Sequence, residues 1–201
     1  MRKVDPEKFE AKKQQILTAA ITCFTRKGFH GTSTAEICAE AGMSPGNLFH
    51  YYPTKHAIIA AIVEQDRRET AAYFAQIDNS QDLFGEILKF MDIVLELAAD
   101  PAYSSLALEI AAEAMRDQQI AALVTAHDAE MRTALALILR DAAARGEIGP
   151  GLDPADGAQW ISALIDGVFG RVAVDPGFKP LEQKKTLHLL LTRFLRPGAT
   201  T

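Results

Sequence analysis

The sequence predicts an all-α protein of about nine helices, and three observations carry that prediction. Apolar residues recur at three- and four-residue intervals along nearly the whole chain, and no run shows the two-residue alternation of a half-buried strand. Helix-starting and helix-ending residues punctuate the chain at helix-length intervals. At 201 residues, 48% hydrophobic and 23% charged, the chain can bury a sizeable core and is longer than a lone helical binding module requires. The expected division is an N-terminal unit over 1–54 and a C-terminal unit over 55–201.

The first helix is expected over 6–27, capped by Asp5, with Pro6 in its first turn, an inward stripe of Ile16, Ala20, Cys23 and Phe24, and Gly28 ending it. Ser33 with Glu36 three residues on is a capping box, so a second helix starts there and buries Ile37, Cys38 and Ala41. Gly42 falls where a helix needs a left-handed residue to stop, and Met43 can fold back onto the core. Ser44 then caps a third helix with Pro45 in its first turn. Leu48 and Tyr52, four apart, face inward together, which leaves Gly46, Asn47, Phe49, His50 and Tyr51 on or near the outward side. So short a helix cannot bury itself, and a DNA major groove accepts such a rod N-terminus first.

Thr54 caps a long fourth helix through Ile58, Ile59, Ile62 and Val63 to about residue 75. Ser80 opens a fifth, rich in Phe84, Ile87, Leu88, Phe90, Met91 and Leu95 and closing near Asp100; Pro101 starts a sixth to about residue 115. A seventh over 118–145 is stopped by Gly146, and GEIGPGLDP is a turn-rich loop. Asp153 and Pro154 open the eighth, to about residue 172, and after DPGFKP a last helix runs from Pro180 to Leu195.

The stretch GFHGTSTAEICAEAGMSPGNLFHYYPTKHAIIAAIVEQ resembles the DNA-binding signature of the TetR family of bacterial regulators, matching the spacing of Gly28, Thr32, Ile37, Ala41, Gly42, Ser44, Gly46, Leu48 and Lys55. The resemblance implies a three-helix helix-turn-helix DNA-binding domain followed by a helical ligand-binding and dimerisation domain. Carried onto this chain, it implies DNA-facing roles for Thr34, Ser44, Pro45, Gly46, Asn47, Phe49, His50, Tyr51 and Lys55. Three positions depart from the pattern: Phe49 replaces the usual tyrosine and its phosphate-bonding hydroxyl, Tyr51 replaces a histidine, and Cys38 replaces an alanine. The segment ALIDGVFGRVAVDP resembles a passage in the eighth helix of members related to the choline and betaine regulator, without naming a ligand.

The net charge of −5 is unevenly spread. Residues 1–56 hold eight Lys and Arg against five Asp and Glu, a net of +3 that leaves −8 for the rest, so one end of the chain is suited to phosphates. Arg2, Lys3, Lys8, Lys12 and Lys13 form either an N-terminal arm on DNA or a solvated helix start. No run approaches a membrane span and the N-terminus lacks the apolar core of a signal peptide, so a cytoplasmic protein with no membrane partner is expected. Cys23 and Cys38 fit buried small hydrophobes better than a redox pair. No G-x-S-x-G, H-E-x-x-H, phosphate loop or supported Cys–His arrangement is present, which argues against an enzyme.

The last two helices carry more apolar surface than one inward face uses. Trp160, Ile161, Leu164, Ile165, Val168, Leu187, Leu190 and Leu191 are therefore expected at a homodimer interface, which lets two recognition helices read half-sites of a pseudo-palindromic double-stranded operator. Phe74, Phe84, Phe90, Met91, Tyr103, Glu109, Met115, Met131 and Trp160 are candidate pocket residues for an unknown small-molecule effector. Glu109 and Glu113, one turn apart, face a cationic ligand or form a solvated or salt-bridged face; His127 and Glu130 have metal-ligand spacing, but a pair is not a site, and neither metal nor cofactor is assigned. The function expected is a DNA-binding transcriptional repressor released by an inducer. A ligand-dependent activator and a helical interaction protein that does not bind DNA are the alternatives.

Overall fold

A computed structural model describes residues 5–78 and 82–196; Arg2, Lys3 and Ser80 lie outside the described residues. Every regular element among them is helical: α1 Pro6–Gly31, α2 Thr34–Glu40, α3 Pro45–Tyr51, α4 Lys55–Ala75, α5 Leu83–Ala99, α6 Pro101–Ala114, α7 Gln118–Ala144, α8 Pro154–Val174, a 3-10 turn Pro180–Gln183, and α9 Lys184–Leu195. The 3-10 turn is a correction, because a continuous last helix was expected from Pro180. The fifth helix takes its cap from Asp82, whose side chain accepts from the Gly85 amide.

Packing divides the chain into two units: Met1–Asp66 with Ser105–Val124, and Arg67–Ser104 with Thr125–Thr201. Helices α4, α6 and α7 each run from one unit into the other. The core of the first is built from Ile16, Phe24, Phe29, Ile37, Leu48, Ile58 and Ile59, and it includes Leu106 of α6 and Ile120 of α7. Adding residues 57–66 and 105–124, which complete this unit, changes the charge. Nine Lys and Arg now stand against ten Asp and Glu, a net of −1, so the positive surplus belongs to residues 1–56 and not to the packed unit as a whole. Cys23 and Cys38 are buried free thiols in this core, and burial pushes the Cys38 thiol up.

The second core joins Leu83, Ile87, Met91 and Leu95 of α5 to Leu135 and Leu139 of α7, Ile161 of α8, and Leu187, Leu191 and Leu195 of α9. Polar ties surround it. Asp92 of α5 holds His188 at 2.7 Å and Lys184 at 2.8 Å on α9; burial pushes this carboxyl up, but those two hydrogen bonds outweigh it and leave it below its ordinary range. The Arg196 guanidinium stacks 3.7 Å over the Phe84 ring and donates to the Glu147 carbonyl, while the Glu147 carboxylate accepts from the Phe84 amide at 3.0 Å.

Candidate nucleic-acid interface

The short helices α2 and α3 are set by their caps. The Ser33 hydroxyl accepts from the Glu36 amide, and Glu36 reaches back to the Ser33 amide at 2.8 Å, completing the reciprocal box. Lys27 of α1 bonds the same carboxylate, and these hydrogen bonds, led by that from Lys27, hold Glu36 down to a pKa of about 2. Gly42 adopts φ +61° with nothing near its missing Cβ, so the left-handed backbone alone requires glycine there. Ser44 caps α3 through the Asn47 amide, with Pro45 in the first turn.

Only Leu48 of α3 is buried. It and Tyr52 point into the core, as their spacing predicts, while Ser44, Pro45, Gly46, Asn47, Phe49 and His50 are exposed. Phe49 is 45% exposed, an unusual position for a phenylalanine with no partner to meet. Tyr51 is half-buried because its ring packs 4.8 Å from Phe9 of α1, and Phe9 also meets His50 edge-on at 6.2 Å. Thr34 is half-buried in the first turn of α2. The structure thus brings the residues from Ser44 to His50 together on one exposed surface held by a buried leucine.

Lys55 is placed differently. Its ammonium donates to the carbonyls of Phe29 at 2.6 Å and Thr32 at 2.7 Å, and lies 4.4 Å over the Phe29 ring. Burial lowers its pKa, opposed by Glu113. It ties the start of α4 to the last turn of α1 and to the residue that caps it, a role the sequence resemblance alone does not disclose.

The helical order, with α3 presented from a capped base, matches known regulators. Residues 16–62 match the model of bacterial regulatory proteins of the tetR family, and residues 88–196 match the C-terminal model of BetI-type transcriptional repressors. The HTH-type transcriptional regulator UidR of Escherichia coli K12 is 31% identical over 166 residues, 80% of this chain and 81% of that protein. The chain belongs to the TetR family. The solved structure of Salmonella enterica GusR is 32% identical, with a TM-score of 0.78 over 92% of this chain and 95% of that one. The regulator RutR of Escherichia coli K12 is 46% identical over 55 residues, which is 27% of this chain and 26% of that protein. This TetR-family chain is accordingly a DNA-binding transcriptional regulator, and its relatives are regulators rather than enzymes.

In this TetR-family chain the residues expected at a partner surface divide into two sets. Ile161, Leu187 and Leu191 are withdrawn into the subunit's own core, at 0%, 6% and 0% exposure, which corrects their assignment. Trp160 at 62% and Leu190 at 52% remain exposed, with Leu164, Ile165 and Val168 half-buried beside the core. Leu181, Leu189 and Val174 are exposed apolar residues as well. Along α8, Trp160, Ala163, Gly167, Gly170 and Val174 recur at alternating three- and four-residue steps, and a Cβ added at Gly167 or Gly170 would meet nothing. Small residues at those steps let another helix approach closely.

The expected pocket residues also divide. Met115 is 88% exposed and Trp160 62%, so neither lines an interior of this subunit. Glu109 accepts from the Phe29 amide at 2.8 Å, and its carboxylate lies 3.1 Å from where a Cβ on Gly28 would stand. Gly28, at φ +72°, is therefore fixed twice, by backbone conformation and by that approach. Glu113 likewise meets a histidine of this unit, with its Oε2 2.8 Å from His30 Nε2. Phe84, Phe90 and Met91 are buried in the second core, with Phe74 and Met131 half-buried against it. Tyr103 stacks at 6.0 Å on Phe169, and Glu130 is bound at 2.7 and 2.8 Å by Arg67. No described helix is long and apolar enough to cross a membrane.

Proposed function

We propose that this chain is a cytoplasmic repressor that binds a pseudo-palindromic operator as a homodimer and leaves it when a small molecule occupies the C-terminal unit. The observation that supports DNA reading is α3, which buries one leucine and exposes Gly46, Asn47, Phe49 and His50 together. Pairing is supported by the stepped small-residue face of α8 and by exposed Trp160, Leu189 and Leu190. The repressor reading rests on the match to BetI-type transcriptional repressors over residues 88–196. A ligand that prefers one placement of the two α4 helices would change the spacing of the recognition helices, and operator affinity would follow that difference.

The test is fluorescence anisotropy of duplexes from the intergenic region beside the encoding gene, over a range of salt. Affinity should fall steeply and log-linearly with salt, because phosphate contacts release counterions. Asn47→Ala should weaken binding by about 1–2 kcal/mol, the loss of one base contact, with an unchanged melting temperature since Asn47 is exposed. Binding that ignores both salt and Asn47 would refute the DNA reading.

A further inference from the structure

His30, His56, Glu113 and Asp117 come together within the N-terminal unit although they are drawn from three separate stretches of the chain. His56 stands in the first turn of α4, Glu113 at the end of α6, and Asp117 in the turn before α7. Each carboxylate has one oxygen fixed by a hydrogen bond and the other turned to the same imidazole nitrogen. Glu113 Oε2 lies 2.8 Å from His30 Nε2, while its Oε1 is 3.5 Å from His56 Nε2. Asp117 Oδ1 caps α7 by accepting from the Gln119 and Ile120 amides at 2.8 and 3.0 Å, while its Oδ2 is 3.7 Å from His56 Nε2. The Phe29 ring, edge-on to His56 at 5.1 Å, packs against that imidazole.

Separations of 3.5 and 3.7 Å are long for hydrogen bonds. They are close to the edge of a tetrahedron whose metal–ligand bonds are about 2.0–2.2 Å, where ligand atoms stand roughly 3.3–3.6 Å apart. The three ligand atoms all lie within 4.8 Å of one another. Glu113 is only 3% exposed, and a carboxylate so placed gains from a nearby cation. The geometry points to a binding site for one divalent transition-metal cation of the zinc type, held by His56 Nε2, Glu113 Oε1 and Asp117 Oδ2, with the fourth position left to water. One imidazole with two carboxylates suits such an ion better than calcium or magnesium, which favour oxygen ligands alone. His30 acts as a positioning residue by holding the far oxygen of Glu113, and Lys55 keeps its ammonium on the Phe29 and Thr32 carbonyls. The ion would clamp the ends of α6 and α7 to the first turn of α4, four residues after α3 ends.

The test uses the full-length chain stripped with chelator, titrated with zinc chloride against a chromophoric competitor, with thermal unfolding in parallel. Wild type should take up one ion per chain and melt at higher temperature with zinc, because binding to the folded form alone stabilises it. His56→Ala should abolish that uptake. Asp117→Asn should weaken it at least tenfold while keeping the cap, since Asn caps as well as Asp. His30→Ala should weaken it about 10–100-fold, as loss of a ligand-orienting partner does. Circular dichroism of the metal-free variants should match wild type. No stoichiometric uptake by wild type, or equal uptake by folded His56→Ala, would overturn the site.

Discussion

Lys55→Ala should lower the stability of the folded chain by about 2–4 kcal/mol in urea unfolding, because it removes a charged donor from two backbone carbonyls, one of which keeps only a backbone amide at 3.3 Å among its described partners. Those carbonyls belong to Phe29 and Thr32, which are 1% and 2% exposed, so water is a poor substitute. The ammonium also covers the Phe29 ring, a contact worth roughly 0.5–2 kcal/mol. Lys55→Met, which keeps the stem, should recover part of the loss. The contrast with Asn47→Ala makes the result informative: one substitution should cost stability and the other only DNA affinity. If Lys55→Ala unfolds as wild type does and merely flattens the salt dependence of operator binding, its ammonium works on phosphate instead.

Trp160→Asp combined with Leu190→Asp should convert a dimer to a monomer in sedimentation, and operator affinity should fall by about 100-fold or more. The affinity loss follows from linkage, since two tethered recognition helices bind with an effective concentration that a lone one lacks. Both side chains are exposed in the subunit, so the carboxylates should leave its fold intact. Gly167→Leu should weaken pairing through bulk alone, because the subunit itself leaves that space open. A double variant that still sediments as a dimer would move the interface elsewhere.

The parts of this molecule that were legible in its sequence are those fixed by local chemistry. Ser33 with Glu36, Gly42, and Ser44 with Pro45 each act over three or four residues, and α2, its turn and α3 begin and end where those residues dictate. The outward set of α3 followed in the same way from the Leu48 and Tyr52 spacing. Residues whose role depends on a distant partner were not legible. Ile161 and Trp160 are adjacent and both apolar on α8, yet one fills the subunit core and the other stays exposed, because a helix apolar on more than one side does not say which neighbour takes which side. Lys55 was readable as a cation but not as a donor to carbonyls more than twenty residues earlier. Glu109 and Glu113 could be read one turn apart on the sixth helix, but the amide and histidines that meet them and Asp117 come from the end of α1 and the start of α4. Those acidic residues, together with Glu64 and Asp66 of α4, also erased the positive surplus that residues 1–56 suggested.

Hydroxyl-radical footprinting of the purified protein on the intergenic DNA beside its gene tests the central claim most directly. Two protected patches on one face of the duplex, about 34–36 Å apart or a near multiple, should appear for wild type and vanish for the Trp160→Asp, Leu190→Asp variant. A single patch from wild type, or no protection at salt low enough for phosphate contacts to form, would contradict paired reading of DNA by α3.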